Sequence, residues 1–64
     1  MTNRQKQCLL AYLGFYNGKA NGIWNEESKD ATLKFQKAYG DIEPDDSCGE
    51  KTQMALMYAV TYGV

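Results

Sequence analysis

The stretch NGIWNEES, residues 21–28, recurs later in the chain as DDSCGEKT, residues 45–52. Each copy has a turn-forming residue first, an apolar anchor in the fourth place, a capping residue in the fifth and a hydroxyl side chain in the eighth. A cap followed by an acidic residue is typical of the start of a helix. The sequence therefore predicts one loop-helix unit used twice. The two copies should pack together, because so short a unit cannot bury its apolar face alone.

A separate helix is predicted ahead of the first copy, over about residues 3–13. Thr2 and Gln5 have the spacing of a capping box, in which each side chain bonds the backbone N–H of the other residue. Leucines then recur at helical spacing until Gly14, which stops the pattern. This helix should lay its leucine face on the two repeat copies.

Each repeat copy starts a helix, the first over residues 26–39 and the second from about residue 50. Gly40 supplies the stop after the first of these, and Leu33 is expected to point outward. The expected inward stripe of this helix is Ser28, Ala31, Phe35 and Ala38, with Thr32 and Tyr39 beside it. The predicted fold class is all-α, a three-helix bundle built around two similar loop-helix repeats.

The composition is that of one folded domain over residues 1–64, with 44% hydrophobic and 23% charged residues. A net charge of −1 with interleaved lysines and acids offers no basic field, so no nucleic-acid partner is expected. No apolar run approaches the roughly 18 residues that span a bilayer, so no membrane partner is expected either. Arg4 and Lys6 precede an apolar stretch as in a signal peptide, but cleavage there would remove a predicted helix. Any export signal is therefore expected outside these residues.

Histidine is absent from the sequence, which excludes a Ser/His/Asp triad and a histidine-ligated zinc site. Two carboxylate pairs remain, at residues 26–27 and 45–46. A first helical turn and an acidic loop are solvated positions, where capping is the expected role. The alternating acids that begin at Asp41 lack the glycine and the final glutamate of an EF-hand. The sequence therefore predicts no enzyme activity, no metal and no cofactor.

The repeat also carries a resemblance to the peptidoglycan-binding domain of bacterial and phage cell-wall hydrolases. The pattern of that family has L-G-Y-Y, G, D-G-x-F-G, T, A and F-Q, followed by a second D-G-x-x-G-x-x-T-x-x-x-L copy. The matching residues here are Leu13-Gly14-Phe15-Tyr16, Gly18, Asn21-Gly22-Ile23-Trp24-Asn25, Ser28, Ala31, Phe35-Gln36, Asp45, Gly49, Thr52 and Leu56. The match runs in order over nearly the whole chain. Three residues depart from the pattern: Lys6 replaces a core leucine, Asp46 a glycine and Cys48 an aliphatic anchor.

The resemblance implies a non-catalytic module that holds an attached hydrolase on peptidoglycan, outside the cell or in the cell wall. It further implies that residues 1–64 are a fragment of a larger wall hydrolase, whose catalytic domain is the partner in the same protein. The expected ligand is a glycan strand or a stem peptide, because tyrosine rings stack on such groups and an amide can pair with acetamido groups. The predicted ligand groove is lined by Tyr12, Tyr16, Gln36 and Tyr39.

The alternative is a protein-interaction or dimerisation module, since apolar residues lie on both sides of the third helix. This face contains Met54, Met57, Tyr58 and Tyr62. These side chains can pack the third helix against the bundle or contact a neighbouring domain. The two cysteines, Cys8 and Cys48, are too far apart in sequence for a CxxC motif. The sequence favours two separate small hydrophobic side chains there and leaves a disulfide open.

Overall fold

Three helices make up the regular structure of the computed structural model, which describes residues 1–40, 42 and 48–63. They are α1 (Asn3–Tyr12), α2 (Glu26–Tyr39) and α3 (Glu50–Tyr62). Helix α1 packs against both α2 and α3. The predicted all-α class and three-helix arrangement are confirmed, and α1 ends one residue earlier than predicted because Leu13 is its C-cap.

The capping box at the start of α1 is formed as predicted. The Gln5 amide N–H donates to Thr2 Oγ1 at 3.1 Å, and the Thr2 amide N–H donates to Gln5 Oε1 at 2.9 Å. Beyond the helix, Gly14 has φ +90°, a backbone conformation that glycine adopts without a steric penalty. The chain then folds back, and the Phe15 amide N–H donates to the Leu10 carbonyl at 2.9 Å. These contacts place the following loop over the core.

The two repeat copies start their helices in the same backbone conformation. Asn25, the N-cap of α2, has φ −89° and ψ −175°, and Gly49, the N-cap of α3, has φ −77° and ψ −170°. Asn25 Oδ1 accepts from the backbone N–H of Ser28 and from its hydroxyl, both at 2.9 Å. Gly49 has no side chain with which to do the same. The predicted turn at residues 45–47 and its departure at Asp46 lie outside the described residues.

The core lies where the three helices and the first loop meet. Its buried hydrophobic residues are Leu10, Tyr16, Ala31, Phe35, Cys48, Ala55, Leu56 and Ala59. Phe15 and Trp24 pack against this core as partly buried residues, and Trp24 thus occupies the anchor position that the repeat predicted. The prediction for Ala38 is wrong: it is exposed, because the buried face of α2 runs through Thr32 instead. Leu33, expected to point outward, is half-buried.

Two departures from the family pattern have a structural explanation. The Lys6 ammonium lies 5.0 Å from the centroid of the Trp24 ring, so the lysine keeps contact with the loop through a cation–π interaction. Cys48 is buried, which lets a small thiol fill the anchor position. Both cysteines are free, and Cys8 is exposed, so the expectation of a small hydrophobic role is wrong for Cys8.

Candidate functional site

A buried glutamine of α1 ties the first repeat loop to the bundle. Gln7 is fully buried, and its Nε2 donates to the Ile23 carbonyl at 2.7 Å and to Ser28 Oγ at 2.8 Å. Its Oε1 accepts from the backbone N–H of Gly22 at 2.9 Å. The Gln7 amide therefore hydrogen-bonds two backbone groups of the turn and the hydroxyl at the end of the repeat. Sequence reasoning missed Gln7, although it precedes Leu10 by three residues and so shares its buried helix face.

A second buried glutamine makes the equivalent contact in the second copy. Gln36 of α2 has 0% exposure, and its Nε2 donates to Thr52 Oγ1 of α3 at 3.0 Å. The sequence placed this side chain at the margin of a ligand groove. That placement is wrong, because Gln36 follows Thr32 by four residues and shares its buried face. In this structure the Gln36 amide holds the third helix and is closed to a ligand.

Tyr16 is also part of the core. It is 4% exposed, and its hydroxyl donates to the Lys19 carbonyl at 2.8 Å. The ring lies so close to the chain that a Cβ at Gly18 would stand 2.6 Å from the Tyr16 hydroxyl oxygen. Tyr16 therefore closes the first loop, and its placement in a ligand groove is corrected by this burial.

The other two residues of the predicted groove lie on the surface. Tyr12, at the end of α1, is 74% exposed, and Tyr39, at the end of α2, is half-buried. The Tyr39 ring lies 5.7 Å from that of Phe35 in the core. Of the four predicted residues, the structure therefore leaves Tyr12 and Tyr39 open to a ligand, and binding by them stays a prediction.

Three tyrosines form a connected aromatic surface, here called the tyrosine surface: Tyr39, Tyr58 and Tyr62. The ring centroids of Tyr39 and Tyr58 are 6.5 Å apart, and those of Tyr58 and Tyr62 are 4.8 Å apart. Tyr58 is 54% exposed and Tyr62 is 74% exposed, so packing within the domain leaves much of each side chain in contact with solvent. The sequence assigned these two residues to helix packing or to a neighbouring domain. Their spacing of four residues on one helix was the signal that they lie side by side.

A shallow depression adjoins the tyrosine surface at Tyr39 and Tyr58. Its volume is about 330 Å³, and it is lined by Tyr39, Ile42, Lys51, Met54, Ala55 and Tyr58. The ion pairs among the described residues join Lys29 to Glu26 at 3.6 Å and Lys34 to Asp30 at 3.2 Å, so Lys51 takes part in none of them. The depression therefore combines apolar walls with a cation that the described part of the domain does not neutralise.

Another depression, of about 580 Å³, lies between the start of α1 and α3. Its lining residues are Met1, Thr2, Arg4, Gln5, Cys8, Leu9 and Met57. It is the larger of the two, but it contains no aromatic ring, which is the group that stacks on sugars. For a carbohydrate ligand the tyrosine surface and its depression are therefore the better candidate.

Titratable groups add little to the chemistry of this surface. Burial raises the pKa of the Cys48 thiol, although the positive charges of Lys6 and of the N-terminus partly oppose this shift. Within residues 1–40, 42 and 48–63, no three histidine, cysteine, aspartate or glutamate side chains come together as a metal site. The acidic positions considered above as an EF-hand-like run lie outside that part of the chain. Over the same described residues, no helix combines the length and apolar character needed to cross a membrane.

The chain is similar to one part of a cell-wall lytic enzyme. The chain is 39% identical over 56 residues to a spore cortex-lytic enzyme from Oceanobacillus iheyensis. The aligned region is 88% of this chain but 20% of that enzyme, so the chain spans about a fifth of the length of this relative. No protein-family model matches the chain. No solved structure matches it either.

Proposed function

We propose that this domain is a non-catalytic peptidoglycan-binding module that holds an attached hydrolase on the cell wall. The proposal rests on the extent of the similarity: nearly the whole chain matches a spore cortex-lytic enzyme, but the matched region is only about a fifth of that enzyme. A segment of that size leaves most of such an enzyme for a separate catalytic region. The place of action is then the cell wall or another extracellular site, and the partner is the hydrolase domain in the same protein.

The residues available for chemistry support binding over hydrolysis. The sequence has no histidine. The carboxylates that the structure describes are all exposed: Glu26, Glu27, Asp30 and Glu50. Glu26 and Glu27 occupy the first turn of α2, where negative charge stabilises the helix. Each described acid thus has a structural role or a solvated position, and none has the buried surroundings that favour a protonated catalytic acid.

The tyrosine surface supplies the contact that such a module needs. A tyrosine ring offers an apolar face for a sugar ring while its hydroxyl stays hydrated. Tyr58 and Tyr62 are exposed, and Tyr39 fixes one end of the row against the core. Modest binding is sufficient, because tethering to the wall raises the local concentration of the attached catalytic domain. No observation favours the dimerisation alternative over this role.

The test is co-sedimentation of the folded chain with purified insoluble peptidoglycan from which teichoic acids have been removed. A helical protein of similar size and charge serves as the negative control. We expect specific, saturable retention of the chain in the pellet. Recovery of the folded chain in the supernatant at all peptidoglycan concentrations would refute the proposal.

A matched pair of variants locates the contact. Tyr62 and Tyr12 have the same 74% exposure, but only Tyr62 belongs to the tyrosine surface. If one aromatic contact is worth about 0.5–1.5 kcal/mol, Tyr62→Ala should weaken retention by roughly two- to tenfold. Tyr12→Ala should leave it unchanged. The reverse result would favour a site at Tyr12, one of the residues of the predicted groove.

A further inference from the structure

The depression beside the tyrosine surface has a composition that aromatic stacking alone does not explain. Ile42, Met54 and Ala55 give it apolar walls, and Lys51 adds a positive charge at its edge. A glycan strand on its own needs rings and hydroxyl partners, whereas an ammonium group attracts a carboxylate. The surface therefore combines an aromatic row with an adjoining apolar depression that carries one positive charge.

The position of Lys51 is not explained by the stability of the helix that contains it. It lies in the first turn of α3, where a cation is opposed by the helix macrodipole. Some lysines of the described chain have an internal partner, as Lys34 has Asp30 and Lys6 has the Trp24 ring, whereas no ion pair among the described residues involves Lys19 or Lys37. Lys51 is also exposed without an ion pair among the described residues, but unlike Lys19 and Lys37 it lines the depression beside the tyrosine surface.

We infer that the depression takes a peptidoglycan stem peptide, with a peptide carboxylate paired to Lys51 and the adjoining sugar on Tyr58 and Tyr62. The inference rests on the proposed function and adds to it the part of the polymer that is recognised. The apolar walls accommodate the short side chains of a peptide, and the tyrosine row continues beyond the depression from Tyr58 to Tyr62, whose ring centroids are 4.8 Å apart. Charge complementarity and the aromatic row thus select one occupant, a carboxylate-bearing peptide attached to a glycan.

The experiment measures the retention of the intact chain and of single variants on two forms of purified peptidoglycan. One form is native, and in the other the carboxylates have been converted chemically to amides. Lys51→Gln is compared with Lys19→Gln, which removes the same charge from an exposed lysine that does not line the depression. Circular dichroism establishes that both variants are folded, and Lys51→Gln should not lose stability because its charge opposes the dipole of α3.

We expect amidation to weaken retention of the wild type by about threefold, the size of one exposed ion pair. The Lys51→Gln variant should show this lower retention on both forms, and Lys19→Gln should follow the wild type. Equal retention of wild type and Lys51→Gln on native wall would overturn the inference and leave wall binding intact. If the wild type is not retained on native wall, the proposed function fails and the inference fails with it.

Discussion

Gln7→Glu tests whether the buried glutamine of α1 holds the first loop in the way that the hydrogen bonds indicate. The change keeps the size of the side chain and its ability to accept from Gly22, but it replaces two N–H donors. Those donors now serve the Ile23 carbonyl at 2.7 Å and Ser28 Oγ at 2.8 Å. An ionised carboxylate would stand against the carbonyl oxygen with no donor, in a site without solvent access. The introduced carboxyl is therefore expected to stay protonated in the folded state.

The cost of this substitution depends on pH in a direction that can be worked out. A protonated carboxyl has one donor in place of two, so one acceptor is left unpaired at a cost of about 1–3 kcal/mol. In the folded state the pKa of the introduced carboxyl is raised above the unfolded value of about 4.3. The contribution of the protonated carboxyl to the free energy of unfolding is therefore present below that pH and is lost as pH rises. Holding the proton at pH 7 costs about 4 kcal/mol. The total of about 5–7 kcal/mol compares with an expected free energy of unfolding of about 3–10 kcal/mol for a domain of 64 residues.

Urea unfolding followed by far-ultraviolet circular dichroism at pH 4, 5.5 and 7 measures this difference against the wild type. Gln5→Glu is the matched control, because Gln5 Oε1 only accepts, from the Thr2 backbone N–H, and a glutamate suits that capping position. We expect Gln7→Glu to be folded at pH 4 and largely unfolded at pH 7, with Gln5→Glu near wild type throughout. A destabilisation of Gln7→Glu that is below about 1 kcal/mol at pH 7 and does not change with pH would refute the reasoning.

Two further predictions concern packing and thiol exposure. Gly18→Ala should destabilise the domain by about 1–3 kcal/mol because the new methyl group meets the buried Tyr16 hydroxyl at 2.6 Å, whereas Gly49→Ala, with open space around it, should stay within about 1 kcal/mol of wild type. Equal thermal shifts for the two variants would contradict this. Iodoacetamide should label exposed Cys8 in the folded protein and spare Cys48, because burial both covers that thiol and raises its pKa. Mass spectrometry of the labelled chain identifies which thiol has reacted. Equal labelling of both thiols before unfolding would contradict the prediction and show that Cys48 is accessible.

The helices could be predicted from the sequence because their start signals are local. The capping box needs only Thr2 and Gln5, and the α2 cap needs only Asn25 and the residues of the next turn. The stop at Gly40 is local too, since its φ of +89° favours glycine whatever lies around it. Signals of this kind are readable without tertiary information, and the predicted bounds of α2 are those observed.

The bonding partners of buried polar side chains could not be predicted in the same way, because they depend on which helix faces which. Gln36 looks like a solvated amide in sequence, yet it lies between α2 and α3 and bonds Thr52. Tyr16 looks like an amphipathic contact residue, yet its hydroxyl is satisfied by the Lys19 carbonyl inside the first loop. In both cases the partner is supplied by a backbone path or a helix contact that no periodicity reports. For this reason two of the four residues predicted to line the ligand groove are buried instead.

The residues that resemble the family pattern thus have mainly architectural roles in this structure. Asn25 caps, Ser28 and Thr52 accept from buried glutamines, and Tyr16 closes the loop. A pattern built from such residues specifies the loop-helix fold, and it identifies few of the side chains that meet a ligand. The exposed residues with unused binding capacity, Lys51, Tyr58 and Tyr62, lie outside the residues that carry the resemblance. Ligand preference within such a fold can therefore change at these surface positions without disturbing the core, so variants there should alter wall binding and leave the stability of the bundle nearly unchanged.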